Sequence, residues 1–254
     1  MVIIQEEKIE DIPVLHVVDD VAQSSPLPVV TYIHGFTSAK ENNLPFAYLM
    51  AKKGYRVLLP DCTEHGERSA HKSELEMELE FWNIVKQNLE DLQVLKENLD
   101  QRELLLDQRF GVAGTSMGGI TTSSALTQYP WIKAAVVLMG SPKTMEMAEF
   151  TIHQVQKTGI KLPFSNEELH NQIQSLEPID LSKHIDQLND RPLLFWHGDQ
   201  DPTVPFRHTE AFYHEALPNY QNREKLHFIP EKNRGHKVSR KAILATVEWF
   251  EKYL

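Results

Sequence analysis

The chain has 254 residues, 41% hydrophobic and 24% charged, the proportions of a folded globular protein and not of a disordered or collagen-like one. Lys and Arg number 26 against 36 Asp and Glu, a formal charge of -10, which repels a phosphate backbone and excludes nucleic acid as the expected partner. A single cysteine, Cys62, excludes an intramolecular disulfide, a CxxC redox pair and a cysteine-based zinc site.

The opening VIIQEEKI and IPVLHVV, separated by an acidic turn at Glu10 and Asp11, predict an antiparallel edge hairpin. Acids stand where a signal peptide needs an apolar core, and no later stretch approaches the roughly 18 uninterrupted apolar residues of a membrane span. A cytoplasmic protein with no membrane partner is expected. Five apolar runs follow: PVVTYIHG from Pro28, YRVLLPD from Tyr55, RFGVAGTS from Arg109, KAAVVLMGS from Lys133 and RPLLFWHGD from Arg191. They are β-branched or aromatic, nearly unbroken, and end in turn residues, as strands buried on both faces of a parallel sheet do.

Between these runs lie helical patterns. A helix begins near Ser73, where Ser73 and Glu76 supply a capping box, and its apolar face runs through Phe81, Ile84, Val85, Leu92, Leu95 and Leu99. Its other face is acidic: residues 74–107 hold ten acids and three bases, a net of -7, and read as a solvated surface. Another helix follows Gly118 and Gly119, and a last one spans roughly Ser239 to Tyr253 with Ile243, Val247, Phe250 and Leu254 on one stripe. About 48 residues from Lys143 to Asp190 separate two buried strands, more than one crossover helix requires. Met145, Met147, Phe150, Ile152 and Val155, then Leu169, Ile173 and Leu176, place several helices there, and the segment reads as a small helical lid inserted at about 143–190 in a single domain spanning 1–254.

The strand RFGVAG runs directly into Gly114-Thr115-Ser116-Met117-Gly118. A tight strand-to-helix turn with serine at its apex needs glycines on either side and gains partial positive charge from the helix N-terminus. Such a serine needs a base, and the base needs a carboxylate that fixes its tautomer. The stretch H-G-D-Q-D-P-T-V-P offers Asp199 and Asp201, and a loop before the last helix offers His236. The order Ser116, Asp201, His236 is that of an α/β-hydrolase triad. Among the 12 histidines, none has H-E-x-x-H or comparable ligand spacing, so no metal is expected.

On these pieces, together with H-G-F at His34 to Phe36 and P-D-C-T-E-H-G-E-R-S at Pro60 to Ser69, the chain resembles serine α/β-hydrolases of the branch related to dienelactone hydrolases and prolyl oligopeptidases. The resemblance implies a mostly parallel sheet of about eight strands flanked by helices, and no cofactor. It makes Asp201 the triad acid and leaves Asp199 to brace its turn. It also implies an oxyanion hole built from the backbone NH groups of Phe36 and Met117, with His34 orienting the loop. Dienelactone hydrolases resembling this chain use a cysteine nucleophile; here the elbow carries serine and Cys62 lies in another loop. The expected function is hydrolysis of a small carboxylic ester, with a short acyl chain, through an acyl-enzyme on Ser116. The alternatives are a small serine peptidase or thioesterase, and a ligand-binding protein on the same scaffold.

Overall fold

The computed structural model describes residues 1–157, 159 and 162–254. Eight strands form one sheet in the order β1-β2-β4-β3-β5-β6-β7-β8. β1 (Val2–Ile9) and β2 (Ile12–Asp19) make the antiparallel hairpin, with Glu10 at φ 55° in its two-residue turn. β2 also pairs antiparallel with β4 (Arg56–Pro60), while β3 (Leu27–Ile33), β4, β5 (Leu105–Thr115), β6 (Ile132–Leu138), β7 (Leu193–Gly198) and β8 (Leu226–Glu231) run parallel. Parallel neighbours need crossovers, and each gap supplies one.

Helices α1 (Leu44–Ala51) and α8 (Arg240–Tyr253) cover one face of the sheet, where Val30, Ala113, Val136 and Trp196 meet Phe46, Met50, Val247 and Phe250. The other face carries α3 (Phe81–Gln101), α4 (Met117–Gln128) and α7 (Phe206–Ala216), packed through Leu92, Leu95, Ile120 and Phe212 on Val29, Val112, Val137 and Phe195. Consecutive strand residues therefore feed opposite cores, which is why the sequence shows unbroken apolar runs there.

Three local details depart from expectation. The helix opened by the Ser73 and Glu76 capping box stops as α2 (Glu74–Leu79), and α3 starts anew at Phe81. α2 buries no residue whereas α3 buries eight, so only the second segment is held to the sheet's line. Strand β5 begins at Leu105, ahead of Arg109, because Leu27 pairs with Leu105 before a bulge in which Asp107 and Gln108 take φ of 48° and 56°. The acidic face is not wholly solvated either: Asp91 is buried and paired with Arg68. Between β6 and β7 stand α5 (Thr144–Lys157), α6 (Asn166–Gln174) and three short 3-10 turns; Thr158, Ile160 and Lys161 of this insertion lie outside the described residues. Among the described residues no helix is long and apolar enough to cross a membrane.

Candidate active site

The C-terminal ends of β5, β7 and β8 lie on one edge of the sheet, and the loops leaving them converge. Ser116 sits between β5 and α4 at φ 56° and ψ -116°, a conformation that costs a non-glycine residue about 1–3 kcal/mol. Two backbone bonds hold it there: Ser116 donates to Leu138 O (2.9 Å) and Ile120 donates to Ser116 O (2.8 Å). The flanking glycines are required by contact. A Cβ on Gly114 would stand 2.2 Å from Gly118 O, and one on Gly118 would stand 2.0 Å from Ile33 O.

His236, on the loop after β8, bridges the other two residues. Its Nε2 lies 2.8 Å from Ser116 Oγ and its Nδ1 lies 2.6 Å from Asp201 Oδ2. A carboxylate only accepts, so Nδ1 carries the proton and Nε2 turns its lone pair to the serine hydroxyl. Asp201, in the turn after β7, has a fully buried side chain. Its Oδ1 accepts from the amides of Thr203 (2.8 Å) and Val204 (2.9 Å). Burial opposes its charge, but hydrogen bonds from His197, His236 and the Val204 amide hold its carboxyl well below the usual carboxylate range. Asp199 lies outside this constellation and accepts from the Asn233 amide (2.7 Å), tying the β7 and β8 loops together as expected of a brace.

His197 also belongs to this constellation, though no sequence spacing announces it. It is buried in β7, with Nε2 3.2 Å from Asp201 Oδ2 and 3.0 Å from Val204 O, and Nδ1 3.0 Å from Thr209 Oγ1. The signal was the first letter of H-G-D-Q-D, read as the tail of a strand.

Phe36 and Met117 flank the serine. The loop after β3 is pinned by His34, whose Nδ1 donates to Gly35 O (2.8 Å) and whose Nε2 accepts from the Cys62 amide (3.0 Å). Burial pushes the His34 ring down to about 4, so it stays neutral and structural. Gly35 lies close behind the serine, its Cβ direction 3.5 Å from Ser116 Cβ. The Phe36 ring packs edge-on against His65 and Phe81, and Thr37 donates its amide to His65 Nε2 (3.0 Å). The His65 loop is in turn anchored by buried Lys40, whose Nζ meets Asp61 (2.7 Å) and Glu67 (2.6 Å). Met117 opens α4, and the first amides of a helix have no intrahelical acceptor and carry partial positive charge.

In front of Ser116 lies a cavity of about 320 Å³ walled by Phe36, Phe81, Ile120, Met147, Phe150 and Val204. A roomier groove of about 600 Å³ beside the β1–β2 hairpin is lined by Glu6, Glu7, Lys8, Asp11 and Arg68 and holds no nucleophile. Among the described residues no three His, Cys, Asp or Glu side chains converge to hold a metal ion.

A model of the prolyl oligopeptidase family matches residues 46–254. The chain is 45% identical to the protein named "Putative esterase YitV" of Bacillus subtilis (strain 168), over 255 residues and all of both chains. It is 30% identical to "Esterase YjfP" of Escherichia coli (strain K12), again over all of both chains. The crystal structure of TT1662 from Thermus thermophilus shares the fold, with a TM-score of 0.76 at 20% identity, covering 99% of this chain and 98% of that one. The matched span runs from α1 to the last residue and takes in Ser116, Asp201 and His236 alike; on that ground the chain belongs to the prolyl oligopeptidase family, within the serine α/β-hydrolase superfamily.

Proposed function

We propose that the protein is a serine esterase acting on small carboxylic esters. The observation that carries this reading is His236 bridging Ser116 Oγ and Asp201 Oδ2 beside an apolar cavity. Ser116 Oγ attacks the ester carbonyl as His236 Nε2 takes its proton, and Asp201 stabilises the imidazolium. The amides of Phe36 and Met117 receive the developing oxyanion. Collapse expels the alcohol, which takes the proton from His236, and a water activated by the same ring then releases the acid. No cofactor enters this sequence.

The space directly in front of Ser116 suits a short apolar acyl group, and the two relatives named as esterases support ester chemistry. The insertion at 143–190 acts as a cap, since Met147 and Phe150 of α5 form one wall of the cavity. The one free, buried cysteine suits a reducing cytoplasm. The test is hydrolysis of p-nitrophenyl acetate and butyrate by the protein and by Ser116→Ala, with a fluorophosphonate label on both. Ester cleavage and labelling that both vanish in the variant support the reading. Labelling of Ser116 without cleavage of any ester would move it to amides or thioesters.

A further inference from the structure

Next to the cavity that holds Ser116 lies a second apolar space, partly open to solvent, between α2 and α3 on one side and α5 and α6 on the other. Its walls are Leu79 and Trp82, facing Ile152, Phe164, Ile173 and Leu176, around a volume of about 80 Å³. The two spaces share Glu78, Thr151 and Val155 as lining residues. Helix α5 is the partition: Met147, Phe150 and Gln154 line the space nearer the serine, while Ala148 and Ile152 line the second.

We infer that this second space is a distal acyl-chain subsite, receiving the terminal methylenes of a linear, uncharged acyl group whose ester carbonyl lies at Ser116. The inference rests on the ester reading above and extends its substrate class from short to medium acyl chains. Among the described residues neither space is lined by a lysine or arginine, and Glu78 stands at their junction, so an anionic tail finds no counter-charge and meets a carboxylate. An alkyl chain that passes the junction beside Val155 buries its terminal methylenes against Leu79, Trp82, Ile152 and Ile173.

The test is a p-nitrophenyl ester series from acetyl to dodecanoyl. The expected result for the unaltered protein is a kcat/KM that climbs from butyryl to octanoyl or decanoyl. Ile173→Trp, which fills the second space from α6, should lower the decanoyl-to-acetyl ratio of kcat/KM about tenfold or more. Ile152→Phe repeats the test from the facing helix should the first variant fail to fold. An optimum at acetyl or butyryl in the unaltered protein overturns the inference, as does a folded variant that slows every ester by one common factor. Absence of cleavage at every chain length is a different result: it overturns the ester reading itself.

Discussion

His197 and His236 meet on the same atom, Oδ2 of Asp201, at 3.2 and 2.6 Å. His197 approaches from the buried side, where Thr209 and the Val204 carbonyl fix its ring. Asp201 is thus aimed by His197 and two amides before it aims His236. A hydrogen bond to a charged group contributes about 1.5–3 kcal/mol. His197→Ala should therefore lower kcat by about 10–100-fold while leaving KM within a few-fold, because the residue touches Asp201 and not the cavity. Steady-state kinetics on a soluble ester, with a thermal melt to confirm folding, decide this; an unchanged kcat would remove His197 from the positioning of the acid.

Ser116 stores backbone strain that an inert turn would not need. Ser116→Gly should abolish hydrolysis and raise unfolding free energy by about 1 kcal/mol, since glycine occupies positive φ freely. Ser116→Ala should lose about 10⁶ in turnover, as in other serine triads, without that gain. Urea titrations of the three proteins measure the difference. Equal stability of the glycine and alanine variants would mean the elbow is unstrained.

Lys40 is buried and stays charged: burial opposes this, but hydrogen bonds to Asp61, Glu67 and Glu41 hold it above the ordinary lysine range. Lys40→Met leaves the Asp61 carboxylate buried without its cation, a change that typically costs about 3–5 kcal/mol. The loop under Phe36 should loosen with it, so kcat should fall even where the fold survives. Thermal melts and kinetics together check this, and a melting temperature within a degree or two of the parent would contradict it.

Acid should weaken the fold well above the carboxylate range. Burial pushes His34 and His208 down to about 4, whereas the unfolded chain protonates histidine near ~6.5. On lowering the pH the unfolded state takes its protons first. The stability these neutral rings permit is therefore complete above about 6.5 and is lost progressively down to about 4. Urea midpoints should fall steadily across that window, and His208→Asn should flatten part of the slope. A flat profile in the parent protein would sink the prediction.

Much of this site was legible because its parts are local turns. Gly114 to Gly118 gives a serine elbow, H-G-D-Q-D an acid after a strand, and Gly235-His236 a loop residue before a helix, each readable within ten residues. His197 was not, because its role is set by Thr209 and Asp201 across the β7 turn and no spacing announces it. Lys40 was missed for the same reason: its partners Asp61 and Glu67 lie 21 and 27 residues away. In the fold, the parallel strands were read from their unbroken apolar runs, while the start of β5 was hidden by a bulge whose polar residues, Asp107 and Gln108, break the pattern.

Cys62 is the chain's one thiol and it is 2% exposed, its amide bonded to His34 directly beneath the Phe36 loop. Burial also pushes the thiol well above its ordinary range, so almost none is thiolate near neutral pH, and alkylating agents or peroxide meet an unreactive group. Nature has thereby installed a single-site reporter. A thiol-reactive dye reaches this thiol only when the ground under Phe36 opens, so labelling reports how often that loop opens and, at dye concentrations where reaction outpaces reclosing, its opening rate.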